Sequence, residues 1–322
     1  MRVVDLEGRL REATPEIGFE SASPTVRSVL EIAKRASSSD APVLLSGESG
    51  TGKTVLARMI HSMSPRAAHP FVVVNCPTLS EELLASELFG HAKGAFTGAL
   101  RDQPGRVEAA EGGTLFLDEV AEMSPTLQAK LLRFLEEKQF ERLGESKTRH
   151  ANVRLLAATN RNLEEQVRAG SFREDLLYRL NVIELQIPPL RERTEDILPL
   201  AQRFLFFFAK TARRQPPQLS DAAAQALLGY TWPGNIRELR NAIERAVILW
   251  PAQIIEPEAF PSHISAHPNA AAPSLGGNFS LEAIDREHIN RVVAHAVTLE
   301  DAAAILGIDA STLWRKRKKY EG

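Results

Sequence analysis

The octapeptide Gly47-Glu48-Ser49-Gly50-Thr51-Gly52-Lys53-Thr54 has the residue types and spacing to hold phosphate. It follows the apolar run APVLLS and precedes the helical pattern VLARMIHSM, the strand–loop–helix setting that this motif requires. Glycines let consecutive backbone N–H groups turn toward a phosphate, and the helix N-terminus adds a favourable potential. In such a loop Lys53 reaches the β- and γ-phosphates of a nucleoside triphosphate, and the Thr54 hydroxyl binds Mg2+. A chance glycine turn is the alternative, and the flanking strand argues against it.

A second pair of groups points to the same chemistry. Asp118-Glu119 ends the apolar run GGTLFL, which puts two carboxylates at the C-terminal edge of a buried strand, where α/β sheets bind ligands. Asp118 would hold Mg2+, directly or through water, and Glu119 would polarise the attacking water. Alone, LFLDE is a strand end with solvated acids. Beside a phosphate loop it is a Walker B pair, and the expectation becomes ATP hydrolysis rather than ATP binding alone.

These residues need a scaffold, and the rest of the chain supplies one. The runs APVLLSG, PFVVVNC, GGTLFLDEV, VRLLAATN and NVIELQIPP alternate with helical patterns, which reads as βαβ units around a mostly parallel, buried sheet. After Pro188-Pro189 the strands stop, and EDILPLAQRFLFFFAKTA and SDAAAQALLGYTWPGNIRELRNAIERAVILW are helical. Ser220 is placed to cap a helix, and Trp232-Pro233-Gly234-Asn235 breaks the second segment in two. FPSHISAHPNAAAPSLGGN reads as a linker, and the last forty or so residues as a small helical unit. No internal repeat is visible.

With 322 residues, 43% of them apolar and 25% charged, the chain can build two or three ordinary globular domains. No run is long and apolar enough to span a membrane, and the start MRVVDLEGRLREATPE is too charged for a signal peptide. The single cysteine, Cys76, excludes an internal disulfide and fits a reducing cytoplasm. The net charge of −2 says little about partners, but WRKRKKYEG gathers five basic residues at the C-terminus.

One stretch resists the usual reading of a loop. ELFGHAKGAFTGALRDQPG, residues 87–105, carries Phe96 between Gly94 and Gly98, an aromatic ring in a flexible and exposed setting. With GESGTGKT, GGTLFLDE, FREDLLYRLNV and WPGNIRELRN in this order, the hexapeptide GAFTGA resembles the sigma-54-dependent transcription activators, bacterial enhancer-binding proteins of the nitrogen-regulator class. The resemblance runs from about residue 18 to the C-terminus. It implies an AAA+ P-loop NTPase with an α/β subdomain over 18–190 and a helical lid over 191–260. A linker remnant over 1–17, a linker over 261–279 and a helix-turn-helix domain over 280–322 complete the expected organisation.

In that family the hexapeptide tips a loop that contacts the sigma-54 factor of RNA polymerase. Gly94, Ala95, Phe96, Thr97, Gly98 and Ala99 are therefore the expected contact, with Phe96 burying apolar area in the partner and the glycines letting the backbone swing. The alternative is that Phe96 tucks into its own domain. The resemblance also assigns Asn75 as the switch that restrains Glu119, Thr159 and Asn160 as sensor I, and Arg237, with Arg240 as a neighbour, as sensor II. Arg173 and Arg179 match paired arginine fingers acting in a neighbouring subunit, so it implies a ring, hexamer or heptamer. Either arginine could instead pair locally with Glu174 or Asp175.

Toward the C-terminus, Ile284, Ile289, Val292, Val293 and Ala296 can share one helix face. LEDAAAIL is short and rich in alanine, Gly307 breaks it, and Asp309 or Ser311 can cap a last basic helix. This is the order of a helix-turn-helix, although periodicity alone also allows a three-helix packing module. Leu313 and Trp314 are the expected anchors. Ser311, Thr312, Arg315 and Lys316 are placed toward the groove, and Arg317, Lys318 and Lys319 on phosphates. The resemblance implies a factor-for-inversion-type DNA-binding domain that dimerises on an inverted repeat in enhancer DNA.

EGRLREATPEIGFES and GIDASTLWRKRK look close to the alginate-type response regulators of this family. That finer match implies a sensor kinase acting through a receiver domain that has been removed. A naturally short, unregulated form is the alternative. Two other classes compete with an activator: a DNA-binding repressor, against which the intact GAFTGA argues, and a general AAA+ unfoldase, which would need no helix-turn-helix.

Overall fold

The computed structural model describes residues 19, 21–78, 80–265, 280–296 and 298–320. The predicted linker remnant at 1–17 lies outside the described residues, as does the predicted linker at 261–279 beyond residue 265. The chain divides into two compact units, Met1–Phe260 and Pro261–Gly322.

Five apolar runs become the five strands of one sheet: β1 (Val43–Ser46), β2 (Phe71–Asn75), β3 (Thr114–Asp118), β4 (Arg154–Thr159) and β5 (Ile183–Gln186). Their order is β2-β3-β4-β1-β5, and every neighbouring pair is parallel. Parallel neighbours need crossovers, which the helices provide. On one face Leu45, Phe116, Leu156 and Ala158 pack on α1 (Pro24–Ser37) and α2 (Lys53–Ser62) through Ala33, Leu56 and Ile60. On the other, Val74, Leu115, Leu117 and Leu155 pack on α3 (Glu81–Phe89) and α4 (Pro125–Glu137) through Leu88, Leu131 and Phe134. Successive residues of β3 thus enter opposite cores, which is why the run shows no polar alternation.

The register aligns the strand ends. Asn75 pairs with Asp118, and Ser46 with both Thr159 and Gln186, so the carboxyl ends form one edge. In the core that holds α3 and α4, α5 (Leu163–Arg168) and α6 (Glu174–Leu180) complete the α/β part. Two short antiparallel ladders, Gly90–His91 with Gln103–Pro104 and Gln139–Phe140 with Arg149–His150, add loops that the periodicity of the sequence did not reveal.

Beyond β5 come α7 (Ile197–Thr211), α8 (Asp221–Gly229) and α9 (Asn235–Leu249). Ile197, Leu200, Ala201, Phe204, Leu205 and Phe208 form the buried stripe of α7, which packs against α9. Ser220 caps α8 as expected, its Oγ accepting the Ala223 N–H at 3.1 Å. Strand structure does not end entirely at the proline pair, because Gln218–Leu219 and Ile254–Ile255 form a two-residue parallel ladder.

The second unit holds α10 (Leu281–His295), α11 (Leu299–Leu306) and α12 (Ala310–Tyr320). Ile289, Ala302, Ala303 and Leu313 form its core, with Val292, Val293, Ala296, Leu306 and Ile308 packed around them. Gly307 ends α11 at φ 66°, a left-handed conformation that glycine adopts without a steric cost. The fold class is therefore the expected one: an AAA+ α/β core, helices of a lid, and a small all-α helix-turn-helix.

Candidate functional site

The phosphate loop, Walker B pair and lid meet in one cleft of about 260 Å3. Its apolar lining is Phe19, Val55, Leu200, Phe204 and Ile236, and its polar lining includes Lys53, Thr54, Asp118, Glu119, Arg237 and Arg240. Apolar walls with a few convergent polar groups are what a nucleotide requires.

Lys53 is 5% exposed, and its ammonium donates to the carbonyls of Gly47 at 2.8 Å and Glu48 at 3.3 Å. It also lies 3.3 Å from Glu119 Oε1. The other oxygen of that carboxylate accepts the backbone N–H of Asn160 at 2.8 Å. Glu119 itself sits at φ 57°, strained by about 1–2 kcal/mol for a residue with a Cβ. Its backbone turn and two partners fix the carboxylate beside the lysine. The Thr54 hydroxyl donates to Asp118 Oδ2 at 3.4 Å. Burial and the neighbouring Glu119 raise the Asp118 carboxyl above its usual range. Two hard oxygen donors at one point suit Mg2+.

The lid residues grip the loop from above. Arg237 donates to Ser49 Oγ at 2.8 Å, and the Ile236 N–H to the Gly50 carbonyl at 3.0 Å. Gly50 is at φ 81°, and a Cβ there would lie 2.4 Å from the Gly234 carbonyl oxygen, so only glycine allows this approach. Asn235, fully buried at φ 52°, donates to Glu48 Oε2 and the Ser49 carbonyl, both at 3.1 Å, and accepts the Leu190 N–H at 2.7 Å. Arg191 grips Glu48 with both nitrogens, at 2.6 and 2.9 Å, and holds its carboxyl below the usual range. Arg193, 2% exposed, donates to the Thr51 carbonyl at 2.8 Å. Thr51 is buried, its hydroxyl on the Glu48 carbonyl. Sequence reading missed Asn235, Arg191 and Arg193. A signal existed for Asn235, because Asn after Gly at a helix break is the residue type that tolerates a left-handed backbone.

Other expected residues are placed less directly. Asn75 stands at the end of the strand next to Asp118 with its side chain exposed, while Glu119 is held by Lys53 and Asn160 instead. Thr159 is buried, and its hydroxyl bonds Arg161 of its own turn. Arg173 and Arg179 do not line the cleft. Arg173 is bound by both Asp175 oxygens, at 2.6 and 3.0 Å, which is the local pairing left open by the sequence. Arg179 is exposed and has no carboxylate partner among the described residues. Gln128, fully buried, fixes the start of α6 by accepting the Arg173 N–H at 2.8 Å and donating to the carbonyls of Met123 and Ser171.

The hexapeptide departs from expectation at its ring. Phe96 is half-buried, edge-on to His91 with centroids 5.0 Å apart, and His91 Nδ1 is 2.7 Å from Ser86 Oγ on α3. The loop curls because Gly94 donates to the Ala99 carbonyl and Ala99 to that of Phe96, which returns the ring to its own stem. Ala99 is buried, Thr97 is exposed, and the large exposed apolar side chain of this loop is Leu100, at 84%. Gly94 and Gly98 have φ of 85° and 102°. Ala95 rests on Gly144, where a Cβ would come within 2.8 Å of it.

On α12 several expected groove residues are occupied. Asp309, not Ser311, is the cap: it accepts the N–H groups of Ser311 and Thr312, and both hydroxyls donate to it. Lys316 pairs with Asp285 and Lys319 with Glu282 on α10, each at 2.5 Å. Arg317 is half-buried. Arg315 is exposed. Leu313 anchors the helix, but Trp314 does not, being 59% exposed with the Lys318 ammonium 5.1 Å from its ring.

The sigma-54 interaction domain family matches residues 19–186, the AAA+ ATPase lid domain 191–275, and the Fis family of bacterial regulatory proteins 280–320. The chain is 54% identical over 321 residues to the alginate biosynthesis transcriptional regulatory protein AlgB of Pseudomonas putida, covering 99% of this chain and 70% of that protein. It is 50% identical over 275 residues to the Nif-specific regulatory protein of Klebsiella pneumoniae, covering 83% of this chain and 52% of that one. The crystal structure of NtrX from Brucella abortus in complex with ADP superposes with a TM-score of 0.74 at 32% identity, over 99% of this chain and 72% of that one. Among the described residues no helix is long and apolar enough to cross a membrane.

Proposed function

The chain belongs to the sigma-54-dependent transcriptional regulators, and from that membership we propose that it hydrolyses ATP in a ring of subunits to remodel sigma-54 RNA polymerase from enhancer DNA. The observation that carries the reading is the meeting of Lys53, Thr54, Asp118 and Glu119 in one lid-covered cleft. The adenine would pack on apolar lining such as Phe19, Leu200 and Phe204, and Lys53 would take the β- and γ-phosphates. Thr54 and Asp118 would hold Mg2+, which neutralises phosphate charge when bound.

Hydrolysis then requires Glu119 to accept a proton from water as the water oxygen bonds to the γ-phosphorus and the bridge to the β-phosphate breaks. Its hydrogen bond to Asn160 keeps the carboxylate placed but shared, so a shift of the turn after β4 would change its availability. Arg173 would leave Asp175 to stabilise charge in a neighbour's site, with Arg179 beside it. The neighbour's arginine makes the site incomplete in a monomer. Gly94–Ala99 would carry the motion to sigma-54, with Phe96 leaving His91 to do so.

Two measurements test this. Glu119→Gln should bind nucleotide with wild-type affinity while kcat falls about 10²–10⁴-fold. Wild-type hydrolysis per subunit should rise with protein concentration as rings form. Full turnover by Glu119→Gln, or a rate per subunit independent of concentration, would overturn the reading.

A further inference from the structure

We propose that Trp314 is a DNA-contacting, specificity-determining residue, whose indole enters the major groove and packs on a thymine methyl group. The proposal rests on the DNA-binding reading of α10–α12. Along α12 each residue turns the direction by about 100°. Leu313, 1% exposed, marks the side facing the core. The opposite side carries Ser311, Arg315 and Lys318, with Trp314 at its edge, all exposed. This outward face has two cations, no carboxylate and an aromatic ring.

Charge complementarity selects the occupant, a polyanion with apolar features, which describes duplex DNA read through its major groove. The other candidates on the helix are otherwise engaged. The hydroxyls of Ser311 and Thr312 serve Asp309, Lys316 serves Asp285, and Lys319 serves Glu282. Trp314, Arg315 and Lys318 remain on the exposed face. An exposed tryptophan is informative because burying so large a ring is strongly favourable, and the chain buries Trp232 completely. The Lys318 ammonium over the ring steadies the indole and brings a phosphate-seeking charge beside it.

The test uses full-length chains and a duplex that the wild-type chain recovers from a randomised pool. Each thymine is replaced in turn by deoxyuridine, which lacks only the methyl group. Trp314→Ala should weaken binding roughly tenfold, with the salt dependence unchanged because no phosphate contact is lost. At one position deoxyuridine should weaken the wild type and leave Trp314→Ala unaffected. Trp314→Phe keeps a ring and should retain most of the affinity and the deoxyuridine penalty, and Trp314→Gln carries the comparison if Trp314→Ala misfolds. Wild-type affinity in Trp314→Ala, deoxyuridine penalties equal in both chains, or a change confined to self-association in ultracentrifugation would overturn the proposal. A wild-type chain that recovers no duplex would overturn the DNA-binding reading and this proposal with it.

Discussion

Asn235 does more for the cleft than its place in a helix break suggests. Three hydrogen bonds converge on one buried amide, joining α9 to the phosphate loop and to the turn at Leu190. Removing it leaves the buried Leu190 N–H without its partner, at about 1–3 kcal/mol. Asn235→Ala should therefore lower nucleotide affinity about tenfold or more and lower the melting temperature, as read by fluorescent-nucleotide titration and thermal unfolding. Asn235→Gly, which accepts φ 52° freely, should recover melting temperature more than affinity. Unchanged affinity in Asn235→Ala would show that the clasp has no role in binding. At this scale the sequence was most legible where chemistry demands a residue type, as at Lys53 and Asp118-Glu119. It was least legible where a backbone group does the work, as with the Asn160 N–H on Glu119, or where a ring folds back, as with Phe96 on His91.

Helices and strands supply a different kind of constraint. His61, on α2, is buried with Nδ1 3.0 Å from the Thr114 hydroxyl on β3 and its ring 5.1 Å from that of Phe71 on β2. Burial, with the charges of Arg154, Arg58 and His69, lowers its pKa from 6.5. The folded chain thus releases a proton that the unfolded chain holds. Stability is then full above about 6.5 and declines as pH falls from there toward the folded value. Thermal unfolding should show a loss of at most about 1.4 kcal/mol per pH unit from this group, and His61→Gln should flatten the curve between pH 7 and 5.5. An identical pH profile in His61→Gln would exclude His61 as the cause. The five strands were visible as apolar runs because both sheet faces are buried. The ladders at Gly90–His91 and Gln139–Phe140 were not, since two residues carry no period.

Across the whole molecule, the sequence indicated a parallel sheet but not its order, because crossover helices of similar length allow several arrangements. Three family matches in succession, covering 19–186, 191–275 and 280–320, describe an activator whose parts share one chain. If they work as one machine, chemistry at Glu119 must reach Phe96. The most direct measurement is capture of purified sigma-54 by the full chain with ADP and aluminium fluoride, with ADP alone, and without nucleotide. Capture should occur with ADP and aluminium fluoride, disappear in Phe96→Ala, and leave ATP hydrolysis by that variant intact. Hydrolysis at full rate with no sigma-54 bound in any nucleotide state would contradict the account.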